Sequence, residues 1–245
     1  MCVICYKPKG AGLPNEKTFA DMAKYNPDGM GYMCTDGSGY VHMAKGFFNV
    51  HDLLKDLSSV THGKYDDYAI AFHARIATHG QVCDKLCHPF CVGKNTFKKH
   101  EKILRATRFV GAMHNGIIPS TTINPAKNES DTSAYCERIL PNLLRYGDAL
   151  LRSHVEVDIG VSRFILMFGD GRVVRAGTWQ KDGDCMYSNL NFKSIPVRKY
   201  KPSPKSTYTY YPCDSSWMND WETSIAPAPW DDDSTDMHTR FTLDK

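Results

Sequence analysis

Tyr68-Ala69-Ile70-Ala71-Phe72-His73-Ala74-Arg75-Ile76-Ala77-Thr78-His79-Gly80 begins as an apolar run and ends in charge. Tyr68 to Ala74 has the composition of a buried strand. Arg75 then places a guanidinium at the end of that strand, where burial without an anionic partner is costly. A second apolar strand is interrupted in a similar way. Ala112-Met113-His114-Asn115-Gly116-Ile117-Ile118 sets an amide side chain beside a glycine. That pairing offers a side-chain N–H and a closely approachable backbone N–H to an oxyanion. Ordinary strands have no need of such clusters.

The rest of the chain supplies the framework. Cys2 to Tyr6 is a short apolar run stopped by Pro8 and Gly10, and predicts a buried strand. Asn15 predicts the cap of a helix through about Lys24, with Phe19, Met22 and Ala23 on one face. Asn26-Pro27-Asp28-Gly29 ends it. Gly31–Cys34 and Tyr40–Lys45 pair as strands around the turn at Asp36-Gly37-Ser38-Gly39. A helix is expected near Val50–Leu57, a strand over Arg108–Ile118, and a helix over Asp131–Tyr146 capped by Ser130 or Asp131. A final hairpin runs Arg163–Phe168, turns at Gly169-Asp170-Gly171 and returns through Val173–Trp179. The expected class is α+β, with hairpins that favour antiparallel pairing.

The 245 residues include 42% hydrophobic and 23% charged side chains, which places the chain among folded globular proteins rather than disordered, collagen-like or coiled-coil ones. A net charge of +3 is too small a surplus to imply a nucleic-acid partner. No stretch approaches the roughly 18 apolar residues of a membrane span, so no membrane partner is expected. Nine cysteines, an odd number with no secretory signal ahead of them, argue for reduced thiols and a cytoplasmic location. Composition changes near Lys193. Five basic and no acidic residues fill Lys193–Lys205, and seven acidic and no basic residues fill Tyr211–Asp236. Trp217, Trp221 and Trp230 lie in this second block. Residues 1–192 are expected to form the main domain, and 193–245 a flexible or docking tail.

Cys2 gains interest if Met1 is removed. It then carries a thiol and a free α-amine on one residue, a nucleophile with its own proton carrier. The two groups titrate near ~8.5 and ~7.7–8.0 when unperturbed, so both exchange protons near neutral pH. Asp131, in Glu129-Ser130-Asp131-Thr132, serves as a helix cap or as an anion for an ammonium group. Nucleophile, oxyanion donors, a cation for an α-carboxylate and an anion for an α-amine together make a site for free glutamine, held by its amino-acid end and attacked at its side-chain amide.

On these residues the chain resembles the class II glutamine amidotransferases, whose glutaminase domains are N-terminal-nucleophile hydrolases. Within that family the likeness is closest to the glutaminase half of glucosamine-phosphate synthases. The stretches that carry it are Met1-Cys2, Asn26-Pro27-Asp28-Gly29-Met30-Gly31, His73 to Gly80, Cys87-His88-Pro89, His114 to Ile118 and Ser130-Asp131-Thr132. Together they span about Cys2 to Leu190.

The resemblance implies a four-layer αββα sandwich of two antiparallel sheets. It implies Cys2 as nucleophile, Asn115 and the Gly116 backbone N–H as oxyanion hole, Arg75 and Asp131 as holders of the glutamine carboxylate and amine, and Thr78 and His79 as pocket lining. It implies no cofactor, L-glutamine as substrate, and ammonia passed to a separate synthase or ligase, since no sugar-isomerase domain follows. The departures are Ile76 for a bulky aromatic, Phe90 for a second histidine, Ser133 for a frequent glutamate, and Val3 and Cys5 for frequent glycines. Two further readings keep the same residues: a stand-alone amidohydrolase of γ-glutamyl compounds, and a non-catalytic binding module. The Cys83, Cys87, His88 and Cys91 group lacks the CxxC spacing of common zinc sites, and no metal is expected there.

Overall fold

The computed structural model describes residues 2–77, 82–93, 103–107, 110–121 and 129–193. Eleven strands and five α-helices are found among these residues. The strands are β1 (Val3–Lys7), β2 (Met30–Thr35), β3 (Val41–Phe47), β4 (Ala69–Ala74), β5 (Phe90–Cys91), β6 (Ile103–Thr107), β7 (Gly111–Asn115), β8 (Arg163–Met167), β9 (Val173–Ala176), β10 (Gln180–Asp182) and β11 (Cys185–Tyr187). The helices are α1 (Glu16–Tyr25), α2 (Val50–Thr61), α3 (Asp131–Arg138), α4 (Leu140–Leu143) and α5 (Asp148–Ile159). They build an α+β protein with two antiparallel sheets. The first runs β10-β11-β1-β4-β2-β3, with β6 added beside β3; the second runs β5-β7-β8-β9.

Alternation along the strands sends each face to its own core. In β1, Val3 and Cys5 join Phe72 of β4, Tyr32 of β2, Phe19 and Met22 of α1, and Leu53 and Leu57 of α2. Ile4 faces the other way, with Met33, Ala69 and Ala71, against Met113, Ile165 and Met167 of the second sheet. The opposite face of that second sheet, with Ala112, Phe164 and Leu166, packs on Tyr135 and Cys136 of α3 and on Leu151, Val155 and Ile159 of α5. Phe19 meets Phe72 edge to face at 4.7 Å, a contact worth ~0.5–1.5 kcal/mol beyond the area it buries. The hairpin turns of the two sheets also touch: Gly39 N–H donates to the Gly169 carbonyl at 2.8 Å.

Local signals explain most element ends. Asn15 caps α1 by accepting from Thr18 N–H at 2.9 Å, as expected. Two expectations need correction, the extent of one helix and of one strand. The helix over Asp131–Tyr146 is two pieces, because Pro141 lacks an N–H to continue the ladder of α3. Of the two expected caps the structure uses Ser130, in a reciprocal capping box with Ser133, so Ser133 fills the capping-box position often held by a glutamate. The strand over Arg108–Ile118 is confined to Gly111–Asn115 within the described residues. Helix α5 and the short pair β10 and β11 have no counterpart among the expected elements. Among the described residues no helix is long and apolar enough to cross a membrane. Residues 194–245, nearly all of the expected tail, lie outside the described residues.

Candidate active site

Strand β4 sits between β1 and β2, with Val3 and Met30 both opposite Ala74. Arg75 therefore leaves the sheet one residue beyond that register, flanked by the start of β1 and by the turn before β2. That turn is tied to it by backbone: Asp28 N–H donates to the Arg75 carbonyl at 3.0 Å, and Arg75 N–H to the Gly29 carbonyl at 2.9 Å. Asp28 Oδ2 also accepts from Ala77 N–H at 2.7 Å, so the turn grips both ends of the three residues beyond β4. Arg75 is buried.

Cys2 lies on the other flank and is half-buried. Its Sγ accepts from Ile76 N–H at 3.4 Å and donates to the Ile76 carbonyl at 3.5 Å. Burial pushes the thiol above its ordinary range; the Ile76 N–H and the Arg75 charge bring it part of the way back. The Cys2 carbonyl accepts from Asn189 Nδ2 at 2.8 Å.

Asn115 closes β7 and is 2% exposed. Its Nδ2 donates to Ser188 Oγ at 2.8 Å, and the same oxygen accepts from Ile4 N–H at 2.8 Å. Ser188 N–H in turn donates to the Ile4 carbonyl at 2.9 Å. The second sheet thus reaches the strand that follows Cys2 through the Ser188 hydroxyl. Gly116 follows with φ +145°, and a Cβ there would overlap the Ser162 hydroxyl. Ser162 Oγ fixes the next residue by accepting from Ile117 N–H and donating to the Ile117 carbonyl, both at 3.2 Å.

Asp131 is the first residue of α3 and its carboxylate bridges to the β7 turn. Oδ2 accepts from Ile118 N–H at 2.9 Å; Oδ1 accepts from Thr132 N–H at 2.6 Å and from the Thr132 hydroxyl at 3.2 Å. A carboxylate has about four acceptor positions, so these three leave one for a ligand cation. The Thr132 hydroxyl also meets His114 Nδ1 at 3.0 Å, and the His114 carbonyl meets His73 Nε2 at 3.2 Å. The His73 and His88 rings lie 4.1 Å apart. All three imidazoles are buried and neutral: burial brings His73 to about 3 and His114 to about 4, and pushes His88 well down, with the neighbouring imidazoles and Arg75 adding to the last shift.

Cys2, Arg75, Asn115, Gly116 and Asp131 are accordingly joined in one continuous set of hydrogen bonds and backbone links. Cys87 belongs to its margin, with Sγ packed where a Cβ on Gly29 would go. Thr78 and His79 lie outside the described residues. The sequence did not point to Ser188, Asn189 or Ser162, and it offered Thr132 only as part of the Ser130-Asp131-Thr132 stretch. The type of Ser188, Asn189 and Ser162 gives no signal, because small polar residues between elements are ordinarily turn formers. No group of three metal-ligating side chains is placed to hold an ion among the described residues. A separate groove of about 720 Å³ opens between α1 and α2, lined by Glu16, Val50, His51 and Leu54 among others, and shares no residue with this set. The reactive groups, and not that groove, mark the site. Comparison with models of known protein families returns no match, and comparison with curated proteins returns none either.

Proposed function

We propose that the chain is a glutaminase of the class II amidotransferase kind, with an N-terminal-nucleophile αββα fold, which releases ammonia from L-glutamine for a separate synthase or ligase. The observation that carries this reading is the double attachment of the Cys2 strand. Cys2 Sγ meets the Arg75–Ala77 run at Ile76, and Ile4 meets Asn115 through Ser188. The thiol of Cys2, the segment that carries Arg75 and the Asn115 amide, far apart in sequence, are linked through the same few residues at the start of β1. The three cores, helices on sheet, sheet on sheet, and sheet on helices, support the four-layer order. The eight described cysteines are all free thiols, which fits a cytoplasmic setting.

In this reading Met1 is removed and the α-amine of Cys2 takes the thiol proton. The sulfur attacks the glutamine amide carbon. The negative charge that develops on oxygen is met by the Asn115 side chain and the Gly116 N–H. Return of the proton to nitrogen expels ammonia and leaves a γ-glutamyl thioester, which water cleaves to glutamate and free thiol. Arg75 holds the substrate carboxylate, Asp131 its ammonium through the remaining acceptor position, and Thr78 and His79 line the pocket. No cofactor enters these steps.

The test is glutamate release from glutamine by the processed protein, alone and with candidate acceptor enzymes, alongside labelling by a glutamine-mimicking electrophile. Turnover with the label on Cys2 is the expected result. Inactivity together with an unlabelled Cys2 overturns the reading, and an intact mass that retains Met1 in the mature protein favours a binding module. Faster turnover of γ-glutamyl compounds than of glutamine moves the assignment to a stand-alone amidohydrolase.

A further inference from the structure

Ser188 is completely buried just past the end of β11 and stands between the two parts of the proposed chemistry. Its Oγ accepts from Ile4 N–H, two residues along the strand from Cys2, and contacts the Asn115 carboxamide at 2.8 Å. Its neighbour Asn189 binds the Cys2 carbonyl. The balance of donors and acceptors at this hydroxyl is informative. A serine hydroxyl has one proton to give and two lone pairs to receive with. With the NH2 end of Asn115 turned toward it, Ser188 receives two hydrogen bonds and gives none among the described residues. Asn115 Oδ1, buried, is then left without a partner. Two buried groups go unsatisfied in that arrangement, against the strong tendency of buried polar atoms to be paired.

A carboxamide has nearly the same shape with its ends exchanged. With oxygen toward Ser188, the Ile4 N–H still donates to Oγ, the Ser188 proton goes to Asn115 Oδ1, and both groups are satisfied. Only the NH2 is left over, and it is the group that an oxyanion requires. Resting on the glutaminase reading above, we propose that Ser188 is the positioning residue of the oxyanion hole: it holds Asn115 by its carbonyl end and so presents the amide N–H groups to the reacting oxygen. Because the same hydroxyl is bound to Ile4, the donor is located relative to the strand that carries the nucleophile. Ser188 itself touches neither substrate nor sulfur.

Neutron diffraction from deuterium-exchanged crystals of the whole protein tests the orientation without any substitution and without turnover. The expected map has the Ser188 deuteron directed at Asn115 Oδ1 and the ND2 group on the far side; ND2 facing Ser188 overturns the proposal even if the protein proves to be a glutaminase. Kinetics supply the second arm. Ser188→Ala is expected to lower kcat by roughly 10- to 10²-fold, less than loss of the donor itself, with KM changed by less than about threefold. Added to Asn115→Ala, it should cost no more than about threefold further, since a residue acting through Asn115 has nothing left to act on. Ser188→Thr should restore most of the rate by returning a hydroxyl. Ser188→Cys, close in size but a weak donor, covers the case in which alanine prevents folding and should fall between alanine and wild type. A Ser188→Ala or, in that case, Ser188→Cys enzyme with wild-type kcat, or a full additive loss in the Asn115→Ala background, overturns the assignment. A protein with the expected neutron map but no glutamine turnover would instead keep the Ser188 orientation and reject the glutaminase reading.

Discussion

The ends of β4 and β7 solve the same problem by different means. Each is an apolar strand that gives way to functional groups, and each has a glycine pressed against a neighbouring side chain. Beyond β4, Arg75 to Ala77 are held by the backbone and carboxylate of the Asp28–Gly29 turn, and Gly29, at φ +112°, lies against the Cys87 sulfur. Beyond β7, Asn115 to Ile118 are held by the side chains of Ser188, Ser162 and Asp131. A brace made largely of backbone tolerates changes of side chain, whereas one made of single side chains does not. The β7 end is therefore where one substitution should do most harm to geometry, and the β4 end where it should mainly remove a contact.

The largest effect should come from the residue at the start of the strand to which both ends attach. Cys2→Ala is expected to abolish glutamine hydrolysis while the circular dichroism spectrum and urea midpoint stay near wild type; persistent turnover would remove the thiol from the mechanism. Next come the two ends themselves. Asn115→Ala should lower kcat by roughly 10²- to 10³-fold, the scale of one oxyanion donor. Arg75→Ala should instead raise KM, on the order of 10- to 10²-fold for a lost charge-assisted contact, with a smaller change in kcat. Steady-state kinetics that show the same pattern for both would erase the distinction between the ends.

A stability test follows. Gly116→Ala must place a Cβ on the Ser162 hydroxyl at a φ that L residues avoid, and should cost about 1–3 kcal/mol, measured by urea unfolding. In a Ser162→Gly background, which removes both the hydroxyl and the Cβ that lies 2.5 Å from the added Cβ, Gly116→Ala should cost less, with only the backbone part remaining. If Gly116→Ala costs as much in the Ser162→Gly background as in the wild type, contact with Ser162 is not what constrains this turn. The smallest effect tests the joint between the two strands, where His73 Nε2 meets the His114 carbonyl. Burial keeps His73 at about 3, His114 at about 4 and His88 well below an ordinary imidazole. The unfolded chain takes up protons below ~6.5 that the folded state refuses. Stability contributed by these groups is therefore fully present above ~6.5 and is lost as pH falls toward the folded values. The urea midpoint should decline over that window, and His88→Gln should reduce the slope by about one proton; a midpoint independent of pH there contradicts the neutral cluster.

Local chemistry made part of this legible in the sequence, and distance hid the rest. The asparagine before α1 and the apolar runs of β1, β4 and β8 are short-range signals, and the structure follows them. The candidate residues at the strand ends stand out because charge and amide groups interrupt apolar runs. Helix α5 does not stand out: Leu151, Val155 and Ile159 recur at helical spacing, but exposed Leu150 and Val157 blur the stripe. Pro141 is a visible breaker, yet the apolar spacing on either side of it reads as one helix after Asp131. Strands of three residues, such as β10 and β11, carry too little pattern to detect. Ser188 is hidden for the same reason and one more, since its partner at Ile4 is 184 positions away and no local spacing connects them.

That separation also bears on how the protein is made. Strand β1 is synthesised before either of its partners: β4 can reach it only after Ala69–Ala74 is made, and its other neighbour only after Cys185–Tyr187. Pairings this remote in sequence are slow to form, because the entropy of closing the intervening chain is lost before any contact is gained. The Ile4–Ser188 bridge cannot close until Ser188 has been synthesised, so a nascent chain that stops before Ser188 has the thiol but lacks the clasp beside it.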